Sequence, residues 1–501
     1  MSHLPTLDLA IIIAYLAAVV GLGLWLGRKT TSTDDFMAAG RSLPGWAIGL
    51  SMFGSYISSL SFLANPGKAY ATNWNSFVFT LMTPIAAAIA VVWLVPFYRR
   101  SGEVSAYEHL EHRFGPWART YAVVCFLLVQ MARTGAILYL LSLAFAPLTG
   151  WDVKATIVIT GTVMTVYTLM SGIVAVVWIG VLQSTVLVAG TLICLIAVIA
   201  KTPGGIGEIL RVAMPQGKLG LGTFSDSAAN APPLFADTAF WVVLCYGLVM
   251  NISNFATDQS YVQRYITARD DREAKKGVWL TALLYVPVAA IFFFIGTSLF
   301  VFYQRRPELL EAGIAGDKVF PLFISQELPV GLAGIVIAAI LAASMDPNLN
   351  SMATLTYCDI YQRYFRPRAG EREAIIVLRT ATLTWGAICT AVGIGMTYAQ
   401  KSLLDAWWEL SGIFSGGVLG LFLLGVISRR VTSRAAATAV TVGVLVILWA
   451  ALSPTVYWPD AWKSIRNPLH PLWTVVLATG IVLVIGLVGS CFSKSAKETA
   501  Q

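Results

Sequence analysis

The chain has 501 residues, of which 57% are hydrophobic and only 12% charged, with a mean hydropathy of +0.72. Soluble domains carry about 25% charged residues, so this composition excludes one and places the chain in lipid. The formal net charge of +8 does not mark a nucleic-acid binder, because the basic residues cluster in alternate loops between apolar runs.

A bilayer-crossing helix needs about 20 mostly apolar residues. Such runs recur roughly thirteen times, centred near residues 18, 55, 85, 132, 162, 187, 248, 290, 342, 386, 414, 443 and 480, with boundaries uncertain by several residues. The first run, residues 9–26, follows acidic Asp8 rather than a basic segment and has no small-x-small cleavage site. It is expected to be a retained helix and not a signal peptide. Arg28, Lys29 and Arg41, then Arg99, Arg100, Arg113 and Arg119, then Arg264 to Lys276, Arg363 to Arg379, Arg429 to Arg434, and Lys494 with Lys497 mark the cytoplasmic loops. That skew predicts an inner- or plasma-membrane protein with its N-terminus outside and its C-terminus cytoplasmic.

Residues 43–65 form a span with a small, hydroxylated middle, Gly54-Ser55-Tyr56-Ile57-Ser58-Ser59-Leu60-Ser61, and residues 241–257 form another carrying Asn251-Ile252-Ser253-Asn254. Polar, broken centres at corresponding places in two five-helix blocks are the sequence mark of a transport site built from inverted repeats. The expected organisation is a leading helix and first cytoplasmic loop (1–42), a first repeat (43–200), an external loop (201–236), a second repeat (237–427), and two trailing helices with a short tail (428–501). Residues 101–119, with Glu103, Glu108 and Glu111 around Leu110 and Phe114, read as a short interfacial helix. Six scattered cysteines and four histidines outside span centres offer neither a disulfide framework nor an intramembrane metal site. No nucleophile, metal cluster or paired acids lie within the spans, so an enzyme is not expected.

Several motifs carry a resemblance. Asp34-Asp35-Phe36 with Ala39-Gly40-Arg41-Ser42-Leu43-Pro44-Gly45-Trp46, Asp258-Gln259-Ser260-Tyr261-Val262-Gln263-Arg264, and Leu349-Asn350-Ser351 with Asp359-Ile360-Tyr361 resemble the sodium:solute symporter family. Its sialic acid transporters are most similar, through Pro66-Gly67-Lys68-Ala69-Tyr70, Trp74, Arg133, and Tyr167-Thr168-Leu169-Met170-Ser171-Gly172. The resemblance implies an all-α, LeuT-type fold of about thirteen helices, with sodium and substrate bound at the two broken helices.

Arg133 lies mid-span. An arginine at helix centre costs ~2.5–3.5 kcal/mol on insertion scales, so it faces a partner or a wet cavity, and its planar fork suits a carboxylate. A structural ion pair, with Asp346 an available partner, is the alternative. The resemblance favours substrate recognition by Arg133. It also places a sodium site on Gly54, Ile57, Ile340, Ala343 and Ser344. Ala343 lacks the usual hydroxyl, and Pro347, which has no N–H, is expected to free the Ala343 carbonyl to replace it, a simple proline kink being the alternative. Relatives carry an acid after a tryptophan in the fifth numbered span, where this chain has Trp178-Ile179-Gly180. Asp346 stands where relatives have serine, and three roles are open to it: cation ligand, partner of Arg133 or another donor, and proton carrier.

The same resemblance lines the substrate pocket with Tyr56, Ser58, Ser61, Ser76, Thr80, Arg133, Gly247 and Asn251. Ser58, Ser61, Arg133 and Asn251 agree with the sialic acid pattern; Tyr56, Ser76, Thr80 and Gly247 depart from it. The expectation is a sodium-coupled symporter, working as a monomer by alternating access, that imports a carboxylated solute such as sialic acid. The alternative is sodium- or proton-coupled uptake of a neutral sugar, polyol or monocarboxylate.

Overall fold

The computed structural model describes residues 5–27, 33–58, 60–170, 172–224, 239–310, 313–344, 348–398, 403–453 and 458–492. Among them every long element is helical. Ten helices are long and apolar enough to cross a bilayer, a bent pair supplies another span, and Val153–Val166 and Ser411–Ile427 are shorter apolar helices. Each expected span centre falls on one of these.

In chain order the elements that matter are α1 (Thr6–Gly27), α2 (Gly45–Tyr56), α3 (Asn65–Ala71), α4 (Asn75–Ser101), α5 (Glu108–Phe114), α6 (Pro116–Thr149), α7 (Val153–Met170) and α8 (Ile173–Lys201). They continue with α9 (Gly205–Ala213), α10 (Phe240–Thr257), α11 (Gln259–Thr267), α12 (Asp271–Arg305), α13 (Gly316–Glu327), α14 (Leu332–Ser344) and α15 (Asn348–Leu355). The last four are α16 (Glu371–Met396), α17 (Leu403–Ile427), α18 (Ser433–Leu452) and α19 (Trp473–Phe492).

Lipid gives helices no hydrophobic reason to associate, so close packing of small residues does the work. The α2–α12 contact shows it. A Cβ on Gly45 would lie 2.3 Å from the Glu273 carbonyl oxygen, and one on Gly49 2.9 Å from that of Gly277. Two polar contacts pin the register: the Gly45 N–H donates to Glu273 Oε2 at 2.7 Å, and Thr281 Oγ1 to the Gly49 carbonyl at 3.0 Å.

α1 packs on α14, and Asp8 explains how an acid sits there. Its Oδ1 accepts the N–H groups of Gly331 and Gly334 at 2.6 and 2.8 Å, satisfying donors that a helix start leaves open. The interfacial helix is shorter than its parent stretch. α5 ends at Gly115, whose φ of +95° a side chain would resist, and Pro116 then opens α6.

The break in the first polar span is present. α2 stops at Tyr56, Ile57 takes φ −98° and ψ 88°, and the chain resumes at an angle of 59°. Local hydroxyls compete with the helix ladder here: Ser61 Oγ donates to the Tyr56 carbonyl at 3.3 Å, one of the acceptors the break leaves open.

The second break differs from expectation. α10 runs unbroken through Asn251 and Asn254, and the interruption falls at Asp258, with φ −83° and ψ 115°. Asp258 is the N-cap of α11, accepting the Ser260 N–H at 2.8 Å, an arrangement that carboxylates favour. Asn251 stays helical because its amide finds partners elsewhere.

Candidate functional site

Between the first break and α4, α6, α10, α12 and α17 lies a polar cavity of ≈ 80 Å³. Six expected substrate residues line it: Tyr56, Ser58, Ser61, Ser76, Thr80 and Arg133. The sequence motifs did not single out Asn65, Tyr246, Tyr285, Phe293 and Ser411, which line it as well. Asn254 and Tyr261 stood inside quoted motifs, where their helical phase relative to Asn251 and Asp258 was the available signal.

Aromatic rings make the walls. Tyr56 packs against Tyr261 and Tyr285, with ring centroids 5.1 and 5.0 Å away. Phe293 of the lining packs on Trp74 and Phe77, the three centroids 5.5 to 5.9 Å apart, and Trp74 Nε1 donates to Thr297 Oγ1 at 2.9 Å. Such rings offer a small solute apolar faces while serines, threonine and asparagine supply hydroxyl and amide partners.

Arg133 enters from α6 and donates to the carbonyl of Ser55. In an unbroken helix that carbonyl would accept from residue 59, so the arginine meets a need the break creates. Arg133 also borders a second cavity, of ≈ 40 Å³, lined by Gln130, Asn254, Asp258, Ser411 and Ser415 among others. Arg133, Asn254 and Ser411 are common to both cavities.

Gly247 and Asn251, expected to line the substrate pocket, do not border this cavity. A Cβ on Gly247 would sit 2.8 Å from the Phe79 Cα, so α10 and α4 touch there backbone to backbone. Asn251 is fully buried. It accepts from Thr83 Oγ1 at 3.0 Å and donates to the carbonyls of Phe79 and Gly247 at 3.1 and 2.7 Å. Its hydrogen-bonding capacity goes to holding two helices together.

The expected sodium residues fall on two elements with α8 packed against both. Gly54 faces α8, where a Cβ would lie 2.7 Å from Ser184 Oγ, and Gly190 of α8 in turn abuts Ala339 of α14. Ile57 and Ile340 are fully buried and Ala343 and Ser344 nearly so. Ser344 Oγ donates to the Ile340 carbonyl at 2.7 Å, and Ser344 borders an apolar cavity of ≈ 400 Å³ between α1, α6, α7 and α14. Asp346 and Pro347 lie outside the described residues. The missing acid of the fifth numbered span has a steric counterpart: a Cβ on Gly180 would lie 2.6 Å from Ser51 Oγ. That close approach leaves no room for a carboxylate.

With this geometry in hand, comparison with known proteins defines the class. The profile of the sodium:solute symporter family matches residues 36–443, and the chain belongs to that family. It is 32% identical over 448 residues to the sodium/sialic acid symporter SiaT of Proteus mirabilis, covering 89% of each chain. A solved structure of a Na+-coupled sialic acid symporter, substrate-bound and outward-open, superposes with a TM-score of 0.88 and 28% identity, covering 98% of both chains. Mhp1, a nucleobase-cation-symport-1 family transporter in a closed conformation, shares the fold with a TM-score of 0.56 at 16% identity, covering 91% of this chain and 94% of that one. The fold is LeuT-type, and family and fold are those of a membrane symporter coupled to sodium rather than of an enzyme.

Proposed function

We propose that this symporter imports sialic acid or a closely related acidic sugar, with Arg133 reading the carboxylate. The observation that carries this reading is a guanidinium at the wall of a buried, hydroxyl-rich cavity beside a broken helix. Its likeness to the sodium/sialic acid symporter of Proteus mirabilis supports the same substrate class. Arg133 has a fork geometry matched to a carboxylate, and Ser58, Ser61, Ser76, Thr80 and Asn65 surround it with hydroxyls and an amide for a polyhydroxylated ring.

The ≈ 80 Å³ cavity is well below the ~300–1,000 Å³ of small-molecule sites, so binding requires the bundle to open. In the proposed cycle the two repeats, residues 43–200 and 237–427, rock about this centre. Sodium, held by Gly54, Ile57, Ile340, Ala343, Ser344 and Asp346, steadies the first break and pre-forms the sugar site. Coupling is then the free energy by which each ligand favours the other's binding state, and it is reciprocal. The N-terminus lies outside and the C-terminus in the cytoplasm, as the alternation of basic loops predicts, and one chain in the lipid bilayer is the working unit.

The test is uptake of labelled sialic acid into proteoliposomes with and without an inward sodium gradient. Gradient-dependent accumulation supports the reading. Accumulation of neutral sugars or simple monocarboxylates in preference to sialic acid overturns the substrate, and uptake indifferent to sodium overturns the coupling.

A further inference from the structure

A groove of ≈ 910 Å³ opens between Trp46 at the start of α2, Val91 of α4 and the first turns of α12. Its volume falls within the ~300–1,000 Å³ of small-molecule sites. None of its described lining residues borders the sugar cavity.

Arg272, Lys275, Lys276, Trp279 and Leu283 of α12 all line it. Counted from Arg272, the others follow at three, four, seven and eleven residues, the spacing of one helix face. Along that face the chemistry changes in order, from cations through an indole to an aliphatic side chain, over ~16 Å at 1.5 Å per residue. A phospholipid presents the same order from head group to tail. Trp46 is 50% and Leu283 61% exposed, and around a spanning helix such apolar surface meets acyl chains, with indoles at the level of the head groups.

The charges of the groove do not cancel. Asp271 is paired with Arg99, and Glu273 with Lys276 at 2.6 Å. Arg272 and Lys275, which share the lining, have no ion pair among the described residues. Two cations are therefore left over at the mouth of a groove whose far end is apolar. Basic pockets between membrane helices take anionic head groups, because the phosphate finds its counter-charge while the tails stay in lipid.

We propose that this groove binds one anionic phospholipid, its phosphate between Arg272 and Lys275, its glycerol backbone against Trp46 and Trp279, and a tail along Leu283 and Val91. In the orientation proposed above the lipid comes from the cytoplasmic leaflet. It braces a joint of the transport machinery. Glu273, in the groove wall, accepts the Gly45 N–H that pins α2 to α12, and a lipid touching Trp46 on one helix and Lys275 on the other spans the same contact. Because α2 ends at the first break, the lipid steadies the helix that leads into the site.

The experiment is thermal unfolding of the full chain, stripped of lipid in detergent. Phosphatidylglycerol, phosphatidylcholine with the same tails, and glycerol phosphate are added separately. Phosphatidylglycerol is expected to raise the melting temperature by about 2 °C or more, as a ligand of the native state does, and the other two by less than about a quarter of that. The double variant Arg272→Gln, Lys275→Gln is expected to lose about half of the rise or more. The control Arg429→Gln, Arg430→Gln removes two exposed cations from another basic loop and is expected to keep it. No rise with phosphatidylglycerol, or an equal rise with phosphatidylcholine, overturns the anionic head group, and an equal rise with glycerol phosphate overturns the lipid. A full rise in the Arg272 and Lys275 variant, or an equal loss in the control, overturns the site. Should the double variant not fold, Lys275→Gln alone takes its place; a weaker dose response to phosphatidylglycerol is expected, and an unchanged one overturns the proposal. No solute enters these measurements, so their outcome is separate from the question of what the carrier transports.

Discussion

Arg133 and Arg264 meet at one residue: Arg133 donates to the carbonyl of Ser55, and Arg264 Nη2 donates to its hydroxyl at 2.9 Å. Ser55 is the penultimate residue of α2, so two cations from different helices hold the last turn before the break. Arg264 is fully buried, and its remaining nitrogens reach Ser51 Oγ at 3.1 Å and the Ser260 carbonyl at 2.8 Å. It thereby ties α2, which ends at the first break, to the start of α11, where the second polar span is interrupted.

From this follows a stability prediction. Arg264→Ala removes several charge-assisted bonds to two buried serine hydroxyls and a carbonyl, a loss of ~3 kcal/mol or more. Arg264→Lys recovers only part of it, because an ammonium cannot span three acceptors in a planar fork. Thermal unfolding in detergent measures both, and an Ala variant that melts with wild type refutes the tie.

Asn251 gives a contrasting case. With its amide committed to Thr83, Phe79 and Gly247, Asn251→Ala is expected to cost ~1–3 kcal/mol by leaving those groups unmatched. The apparent KM for sialic acid should change little in protein that remains folded. A large rise in KM at unchanged thermal stability would return Asn251 to the sugar site.

For Arg133 the order of effects reverses. Losing a charge-assisted carboxylate contact of ~1.5–3 kcal/mol weakens acidic substrates ~10- to 150-fold, while sodium alone should still raise the melting temperature. Paired measurements of uptake and sodium-dependent melting separate the two, and undiminished sialic acid uptake by Arg133→Ala defeats the assignment.

These contrasts show what could be read from residue order. Hydropathy placed each expected centre on an apolar helix of the described residues because lipid tolerates only long apolar helices, and the hydroxyl-rich run around Ser58 located the first break because such side chains rival the helix ladder. Asn251 was harder to place, because an asparagine in a span reads alike whether it faces a cavity or a neighbouring helix. Helical phase settles that, and phase requires knowing what packs where. Asp258 was quoted as part of a motif, yet its place at the real interruption of the second polar span depends on its capping bonds and on Gln130, 128 residues away in sequence. The aromatic walls at Tyr285 and Phe293 sit in an apolar helix with nothing local to distinguish them from lipid-facing rings. Asp346, conspicuous in the sequence, lies outside the described residues.

His109 is expected to make stability depend on pH. His109 on α5 is half-buried, its ring edge-on to Phe97 with centroids 4.8 Å apart, and burial holds its pKa below the ordinary 6.5. Nearby Arg113 and His112 push the same way, while the Gly425 backbone opposes them. Because the folded value is the lower one, the unfolded chain takes up a proton first as pH falls. The neutral ring's contribution is therefore complete above pH 6.5 and is lost as pH drops through the folded value. Thermal unfolding of wild type and His109→Gln between pH 7.5 and 5, a range of about 2.5 units around the histidine pKa, should give curves that diverge above that value and converge below it. A difference between the two proteins that stays constant across the range would show that His109 does not titrate on unfolding.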